Sequence, residues 1–89
     1  MLEDPHILVV PDGTEVINTR QYANTDYECI FIPRSVKLVK GFAFDGCKSL
    51  KEVVIEEGSK MRIIGKNAFR DCSSLAKITL PEGLVMIDL

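Results

Sequence analysis

An internal repeat is the feature that most limits what this chain can fold into. When residues 39–58 are superposed on residues 64–83, at an offset of 25, seven of the twenty positions are identical. Average amino-acid usage would give about one such identity. A period of this length indicates a solenoid, a propeller or another repeat array. The identical pairs are Ala43/Ala68, Phe44/Phe69, Cys47/Cys72, Ser49/Ser74, Leu50/Leu75, Glu57/Glu82 and Gly58/Gly83.

Weaker copies of the pattern extend toward the N-terminus. Each copy has a short apolar strand motif, then a turn, then a second aliphatic patch, so the repeat predicts two short strands in each winding of the chain. The turn Pro11-Asp12-Gly13 is also compatible with a hairpin between the first two strands. The strand motifs are Pro5-x-x-Leu8-x-Val10, Tyr27-x-x-Ile30-x-Ile32, Leu50-x-x-Val53-x-Ile55 and Leu75-x-x-Ile78-x-Leu80, and the second patches are Val16-Ile17, Leu38-Val39, Ile63-Ile64 and Met86-Ile87.

Residues 43–58 and 68–83 share the string Ala-Phe-x-x-Cys-x-Ser-Leu-x-x-Val/Ile-x-Ile/Leu. This string resembles the BspA-like leucine-rich repeats, with a partial match over residues 27–39. In the first winding Gln21-Tyr22 stands where Ala-Phe belongs, and the cysteine position falls in a gap. The resemblance implies a leucine-rich-repeat solenoid of the α/β horseshoe type, mostly β. It would have short parallel strands on the concave side and short strands and 3₁₀ turns on the convex side.

Alternation along a strand sends neighbouring side chains to opposite faces. We therefore expect Val53 and Ile55 to face the core and Val54 to face outward. On the convex side the aromatic, cysteine and leucine positions recur every three residues, a spacing that keeps one side of a 3₁₀ turn inward. Stacked windings should then place Phe44 on Phe69 and Cys47 beside Cys72.

The two inward cysteines, Cys47 and Cys72, are best explained as buried structural thiols, with a disulfide and a reactive thiol as open alternatives. Cys29 is predicted to face outward; of the three cysteines it is the best candidate for a reactive or crosslinking thiol, but a harmless surface cysteine is the favoured interpretation. The chain is predicted to be a single domain over residues 1–89, with about 3.5 coils near residues 5–26, 27–49, 50–74 and 75–89. We expect it to be a fragment of a longer array, or to cover its open end by self-association through residues 78–89.

Outward strand positions form two columns across the predicted concave sheet, and these are the candidate ligand-binding residues. An exposed apolar stripe on such a surface indicates a contact site, although cross-strand packing alone also favours β-branched and aromatic residues. One column is Val9, Phe31, Val54 and Thr79, and the other is Ile7, Cys29, Glu52 and Lys77, flanked by His6, Glu28, Lys51 and Ala76.

Composition excludes several classes of function. Eleven basic and thirteen acidic residues are interspersed, giving a net charge of −2 and no basic stripe for nucleic acid. No apolar run reaches the roughly 18–20 residues of a bilayer span, so membrane insertion is not expected. One histidine and three widely spaced cysteines do not make a metal site, and no nucleophile or acid–base pair is recognisable. We therefore expect no enzyme activity, no metal and no cofactor.

Two functional hypotheses remain. The first is a non-enzymatic binding or adhesion module whose concave face contacts a protein or surface-glycan ligand. The resemblance implies this class, together with a cell-surface or secreted location. The second is a structural or scaffolding unit that associates with its own copies through the open C-terminal coil.

Overall fold

The computed structural model describes residues 6–87, which wind into a solenoid of parallel strands. The strand bounds are β1 Ile7–Val9, β2 Val16–Ile17, β3 Cys29–Ile32, β4 Leu38–Val39, β5 Glu52–Ile55, β6 Ile63–Ile64, β7 Lys77–Ile78 and β8 Met86–Ile87. Odd-numbered strands form one four-stranded sheet in the order β1-β3-β5-β7, here the first sheet. Even-numbered strands form the second sheet, β2-β4-β6-β8. Each odd strand and the even strand after it belong to one coil, and no helix occurs within the described range.

The predicted stacking of equivalent residues is confirmed by the strand register. All neighbouring strands are parallel, and Ile30 pairs with Val53, which pairs in turn with Ile78. The second sheet repeats the arrangement, with Leu38 opposite Ile63. The hairpin interpretation of residues 11–13 is wrong, because β1 and β2 belong to different sheets. The turn there closes one side of a coil, with the Thr14 amide donating to the Pro11 carbonyl at 3.1 Å.

Alternation along the strands separates core from surface largely as expected. Ile30, Ile32 and Val53 are at most 1% exposed to solvent, while Val54 is half-buried on the outward side. Ile55 is only half-buried, although it occupies an inward position. The inward side chains from both sheets form one continuous apolar core.

Three turn segments, residues 18–26, 40–49 and 65–74, join the second sheet of one coil to the first sheet of the next. They are successive i→i+3 turns and not a helix, as in the hydrogen bonds from the Ala43 amide to Lys40 and from the Cys47 amide to Phe44. Two positions in every segment have a left-handed backbone, which interrupts any helical continuation. These positions are Arg20, Phe42 and Asn67 (φ 57 to 63°), and Asn24, Gly46 and Asp71 (φ 59 to 76°).

The glycines of this region have two different roles. Gly46 occupies a left-handed position, and a Cβ there would collide with the Asn24 side chain of the preceding coil. Gly41 and Gly65 do not have a left-handed backbone, and their role is to leave room between coils. A Cβ on Gly65 would lie 2.6 Å from the Gly41 nitrogen, and one on Gly41 would lie 2.8 Å from the Lys66 carbonyl oxygen. Both are therefore needed for the close approach of successive coils.

Aromatic rings stack through the turn segments. Phe44 lies parallel to Phe69, with ring centroids 5.1 Å apart and an interplanar angle of 3°. Tyr22 continues the stack on the other side of Phe44, at 5.7 Å and 12°. The first turn segment therefore keeps the repeat geometry although it lacks the Ala-Phe pair.

Sulfur and hydroxyl groups form a second ladder beside the rings. The Cys47 thiol donates to the Tyr22 carbonyl at 3.1 Å, and the Cys72 thiol donates to the Phe44 carbonyl at 3.2 Å. Thr25 occupies the corresponding place in the first coil, and its hydroxyl donates to the Tyr22 carbonyl at 2.9 Å. All three cysteines of the chain are free. The thiols of Cys47 and Cys72 are thus both held by backbone carbonyls of the preceding coil, which agrees with a structural role.

A buried carboxylate links three successive coils. Asp45 is 6% exposed and contacts Arg20 of the preceding coil at 3.2 Å and Arg70 of the following coil at 3.0 Å. Both guanidinium groups also lie over the Phe42 ring, 5.0 and 5.2 Å from its centroid. The Arg70 hydrogen bond, together with the positive charges of both arginines, lowers the pKa of the Asp45 carboxyl. Sequence analysis did not identify this cluster.

We expect Phe44→Ala to lower the free energy of unfolding by about 3–5 kcal/mol, because it removes a fully buried ring from the middle of the stack. Urea denaturation followed by circular dichroism measures this loss. The exposed Lys48 is the matched control, and Lys48→Ala should leave the midpoint unchanged. An unchanged midpoint for Phe44→Ala would show that the stack does not hold the coils together.

We expect Asp45→Asn to be most destabilising near neutral pH. A carboxyl whose pKa is lowered by folding stabilises the native state above its unfolded pKa of about 3.9, and this contribution disappears as the pH falls through the lowered folded value. The difference in stability between parent and variant should therefore shrink below about pH 4. Urea midpoints at pH 7 and pH 3 test this, with the exposed Glu57→Gln as control. A difference that is independent of pH would contradict the ion-pair account.

Candidate binding surface on the first sheet

The register of the first sheet brings most of the predicted surface residues into two straight columns. Val9, Phe31 and Val54 lie opposite one another across β1, β3 and β5. Thr79, the fourth member assigned to this column, is exposed but lies one residue beyond the end of β7. The strand pairing therefore assembles three of the four members.

The second column is complete and ends in charged residues. Ile7, Cys29, Glu52 and Lys77 are paired in sequence from β1 to β7. The Lys77 ammonium lies 3.8 Å from the Glu52 carboxylate. The flanking row has a similar pattern, with Lys51 3.5 Å from Glu28. Opposite charges on successive coils therefore neutralise one another along this side of the sheet.

Apolar surface is concentrated toward β1 and β3. Val9 is 62% exposed and Ile7 is 42% exposed. Phe31 and Val54 are half-buried beside them. Because these four residues lie in adjoining columns, their exposed parts form one contiguous apolar area, here the apolar stripe.

Cys29 lies within this surface, in surroundings that disfavour its thiolate form. It is half-buried, and burial followed by the negative charge of Glu52 raises the pKa of its thiol. A raised pKa lowers the thiolate fraction near neutral pH, and the thiolate is the reactive form. These surroundings favour an unreactive surface cysteine over a reactive thiol.

A hollow of about 370 Å³ adjoins one end of the apolar stripe. Val9, Phe31 and Pro33 supply its apolar lining, and Asp12, Arg34 and Glu56 supply polar groups. Sequence analysis missed the hollow. The available signal was an arginine and a glutamate at the turns of successive coils.

Arg34 and Glu56 are bound to each other by two contacts. The Arg34 guanidinium donates to Glu56 Oε2 at 3.1 Å, and the Arg34 amide donates to Glu56 Oε1 at 2.9 Å. The guanidinium hydrogen bond, and then the amide, lower the pKa of the Glu56 carboxyl. Asp12 and Glu57 lie near enough to help raise the pKa of Arg34. Carboxylates therefore outnumber cations at this end of the sheet.

Neither a metal centre nor a membrane-spanning helix is found among the described residues. Among residues 6–87, no three or more histidine, cysteine, aspartate or glutamate side chains are grouped so that they could hold a metal ion. Within the same range, the structure contains no helix of the length and apolarity that crossing a bilayer requires.

Comparison with solved structures gives a neighbour with the same fold. The chain resembles a leucine-rich cell surface protein from Faecalibacterium prausnitzii A2-165, with a TM-score of 0.73 and 26% sequence identity. The match covers 89% of this chain and 26% of that structure, so the chain spans about a quarter of the length of its neighbour. No curated protein matches the sequence.

Comparison with protein-family models gives a match to the BspA type leucine-rich repeat region, described as six copies, over residues 6–89. This range includes nearly the whole chain. It agrees with the parallel register of both sheets and with the repeated aromatic and thiol positions. The chain belongs to the BspA-type leucine-rich repeat family.

Proposed function

We propose that this chain is a non-enzymatic binding or adhesion module that contacts its ligand through the first sheet. The observation that carries the proposal is the apolar stripe formed by Ile7, Val9, Phe31 and Val54. Repeat proteins use extended sheet surfaces of this kind for binding. Covering a valine side chain completely contributes roughly 1.5 kcal/mol or more, so a partner that covers Val9 and its neighbours gains directly from the contact.

The charges beside the apolar stripe favour a protein ligand over a glycan. Recognition of a sugar requires polar side chains whose hydrogen-bonding groups are directed to the ligand. Here Glu28 is paired with Lys51, and Glu52 is paired with Lys77. A polypeptide that presents apolar side chains needs no such groups, and it leaves these ion pairs intact at the border of the contact.

The proposal also includes the location of the module and the larger protein to which it belongs. The structural neighbour is described as a cell surface protein, and the match covers only 26% of its length. We therefore propose that the module acts at a cell surface or after secretion, as part of a longer array of coils. Its ligand-contacting residues would be Val9, Phe31, Val54, Thr79, Cys29, Glu52 and Lys77.

A second candidate function is structural, with contacts made at the C-terminal end of the solenoid. Leu80 is 44% exposed and Val85 is 65% exposed at that end. Apolar side chains at the end of a solenoid are normally covered by a cap or a neighbouring unit. The self-association proposed for residues 78–89 is one form of this function, although residues 88 and 89 lie outside the described range.

We expect the double substitution Phe31→Ala with Val54→Ser to weaken ligand binding about tenfold or more, because a few central apolar residues supply most of the energy of an interface. The labelled chain would be screened on an array of immobilised extracellular proteins and on a glycan array. Affinities for the ligands it retains would then be measured by surface plasmon resonance.

Val9→Ser is the second test variant, because Val9 is largely exposed and its replacement should not affect folding. Ile63→Ser is the matched control, since Ile63 is 37% exposed but lies on the second sheet. Binding that falls in the Val9 variant and persists in the Ile63 variant supports the first sheet as the contact surface. Equal affinities for the parent chain and both first-sheet variants would exclude it.

A further inference from the structure

The turns that follow the strands of the first sheet lie along one edge of the solenoid. This edge, here the turn edge, comprises residues 11–13, 33–35, 56–58 and 81–83. The Ser35 hydroxyl accepts the Gly13 amide at 3.1 Å and donates to the Thr14 carbonyl at 2.8 Å. The Lys60 amide donates to the Arg34 carbonyl at 3.0 Å. The turns of the first three coils are therefore tied to one another, as the strands are.

Two hollows adjoin along the turn edge. The first is the hollow of about 370 Å³ at the end of the apolar stripe, where Val9 and Phe31 supply apolar surface. The second, of about 330 Å³, lies between the third and fourth coils, and its lining includes Thr79 and Leu80. Glu56 contributes to both hollows. A polypeptide laid along the turn edge would therefore cross one hollow and then the other.

Carboxylates dominate the charged lining of the two hollows. Among the described residues that line them, Arg34 is the one cation, and it is already bound to Glu56. Lys60 is exposed nearby but lines neither hollow. The carboxylates of the lining that are exposed and form no salt bridge within residues 6–87 are Asp12, Glu57 and Glu82.

The opposite end of the first sheet has no such excess of negative charge. Glu28 lies 3.5 Å from Lys51, and Glu52 lies 3.8 Å from Lys77, so these two carboxylates each have a cation beside them. The negative potential therefore lies on one side of the apolar stripe. A ligand that carries both apolar and positively charged groups would be oriented with its charge toward the turn edge.

Arg34 alone could attract an acidic ligand, but its surroundings oppose this. Its guanidinium donates to Glu56 at 3.1 Å, and the charges of Asp12 and Glu57 add to the rise in the pKa of Arg34. An incoming carboxylate would therefore meet three acidic side chains as it approached. Like charges brought together in this way weaken binding and select against acidic partners.

The coil spacing sets the spacing of side chains in the occupant. Residues of the first three coils line the first hollow, and residues of the third and fourth coils line the second. Their midpoints are thus about one and a half coils apart, or roughly 7 Å at about 4.8 Å per coil. In an extended chain, side chains on one face recur every two residues, also at roughly 7 Å. Residues i and i+2 of an extended ligand would therefore reach the two hollows.

We propose that the turn edge binds an extended polypeptide segment of the form apolar-x-Lys/Arg. The apolar side chain, a leucine or phenylalanine, enters the first hollow and contacts Val9 and Phe31. The lysine or arginine lies over the second hollow and pairs with Glu57 and Glu82. This inference rests on the proposed function and adds the chemistry of the ligand at the same surface.

Three capped peptides of glycine and serine, each with one leucine, test the proposal. They differ only in the residue two places after the leucine, which is lysine, serine or glutamate. Their affinities are measured by NMR titration of the isotope-labelled chain, which detects weak binding. We expect the lysine peptide to bind about tenfold more tightly than the glutamate peptide at low salt. The ratio should fall toward one at about 0.5 M salt, because exposed charges are then screened.

Variants of the chain identify the groups responsible. Glu57→Gln combined with Glu82→Gln should reduce the preference for lysine to about twofold or less, because both carboxylates are exposed and their charge is the only property removed. Asp26→Asn is the matched control, since Asp26 is an exposed carboxylate in the first turn segment, away from the turn edge. It should leave the preference unchanged. Val9→Ser should weaken the binding of all three peptides.

Equal affinities for the lysine and glutamate peptides, tighter binding of the glutamate peptide, or no binding of any peptide would overturn the proposal. A lysine preference that persists in the Glu57 and Glu82 double variant would do the same. Shifts at Val9 and Thr79 that appear when the chain alone is concentrated would show that a second copy occupies the edge, and would also overturn it. The proposed function has a separate test, because the first-sheet variants are measured on ligands retained from the protein and glycan arrays.

Discussion

Direct stacking of equivalent side chains on successive coils is the constraint on which the rest of the structure depends. A single coil of a solenoid cannot bury its own apolar side. Neighbouring strands in a sheet are about 4.8 Å apart, and the ring centroids of Phe44 and Phe69 are 5.1 Å apart. The ring stack therefore advances by nearly the same step as the strand ladders. Because both steps match, backbone pairing and side-chain packing can be satisfied in the same register.

The sequence was sufficient to predict what the stacking requires at inward positions. The pairs Phe44/Phe69 and Val53/Ile78 could be identified because both members of each pair occupy the same environment and are therefore similar in type. Thr25 was missed for the same reason, since it fills the cysteine position of the first coil with a different chemical group. The Thr25 hydroxyl and the Cys47 thiol both donate a hydrogen bond to the Tyr22 carbonyl. A search for identical residues does not detect this shared property.

Contacts between different residue types could not be read from the repeat. Asp45 binds arginines at two positions that are not equivalent to each other, and both arginines approach Phe42. The geometry of this cluster depends on side-chain rotamers and on the left-handed backbone at Arg20 and Phe42.

Local turn signals were also insufficient to predict the strand pairing around residues 11–13. A turn there was predicted, but whether the flanking strands pair with each other depends on the coil as a whole.

The same stacking explains why function is assigned to outward residues. An inward side chain contacts its equivalents above and below, so replacing it disturbs two interfaces at once. The exposed sides of Val9 and Ile7 do not pack against equivalent core residues of other coils. Substitutions there change the surface without changing the strand register. Val9, Phe31 and Val54 are nonetheless held in a straight column, because the register is fixed by the residues beneath them. The apolar stripe, which carries the proposed contact, is therefore positioned by inward side chains that lie on the opposite face of the same strands.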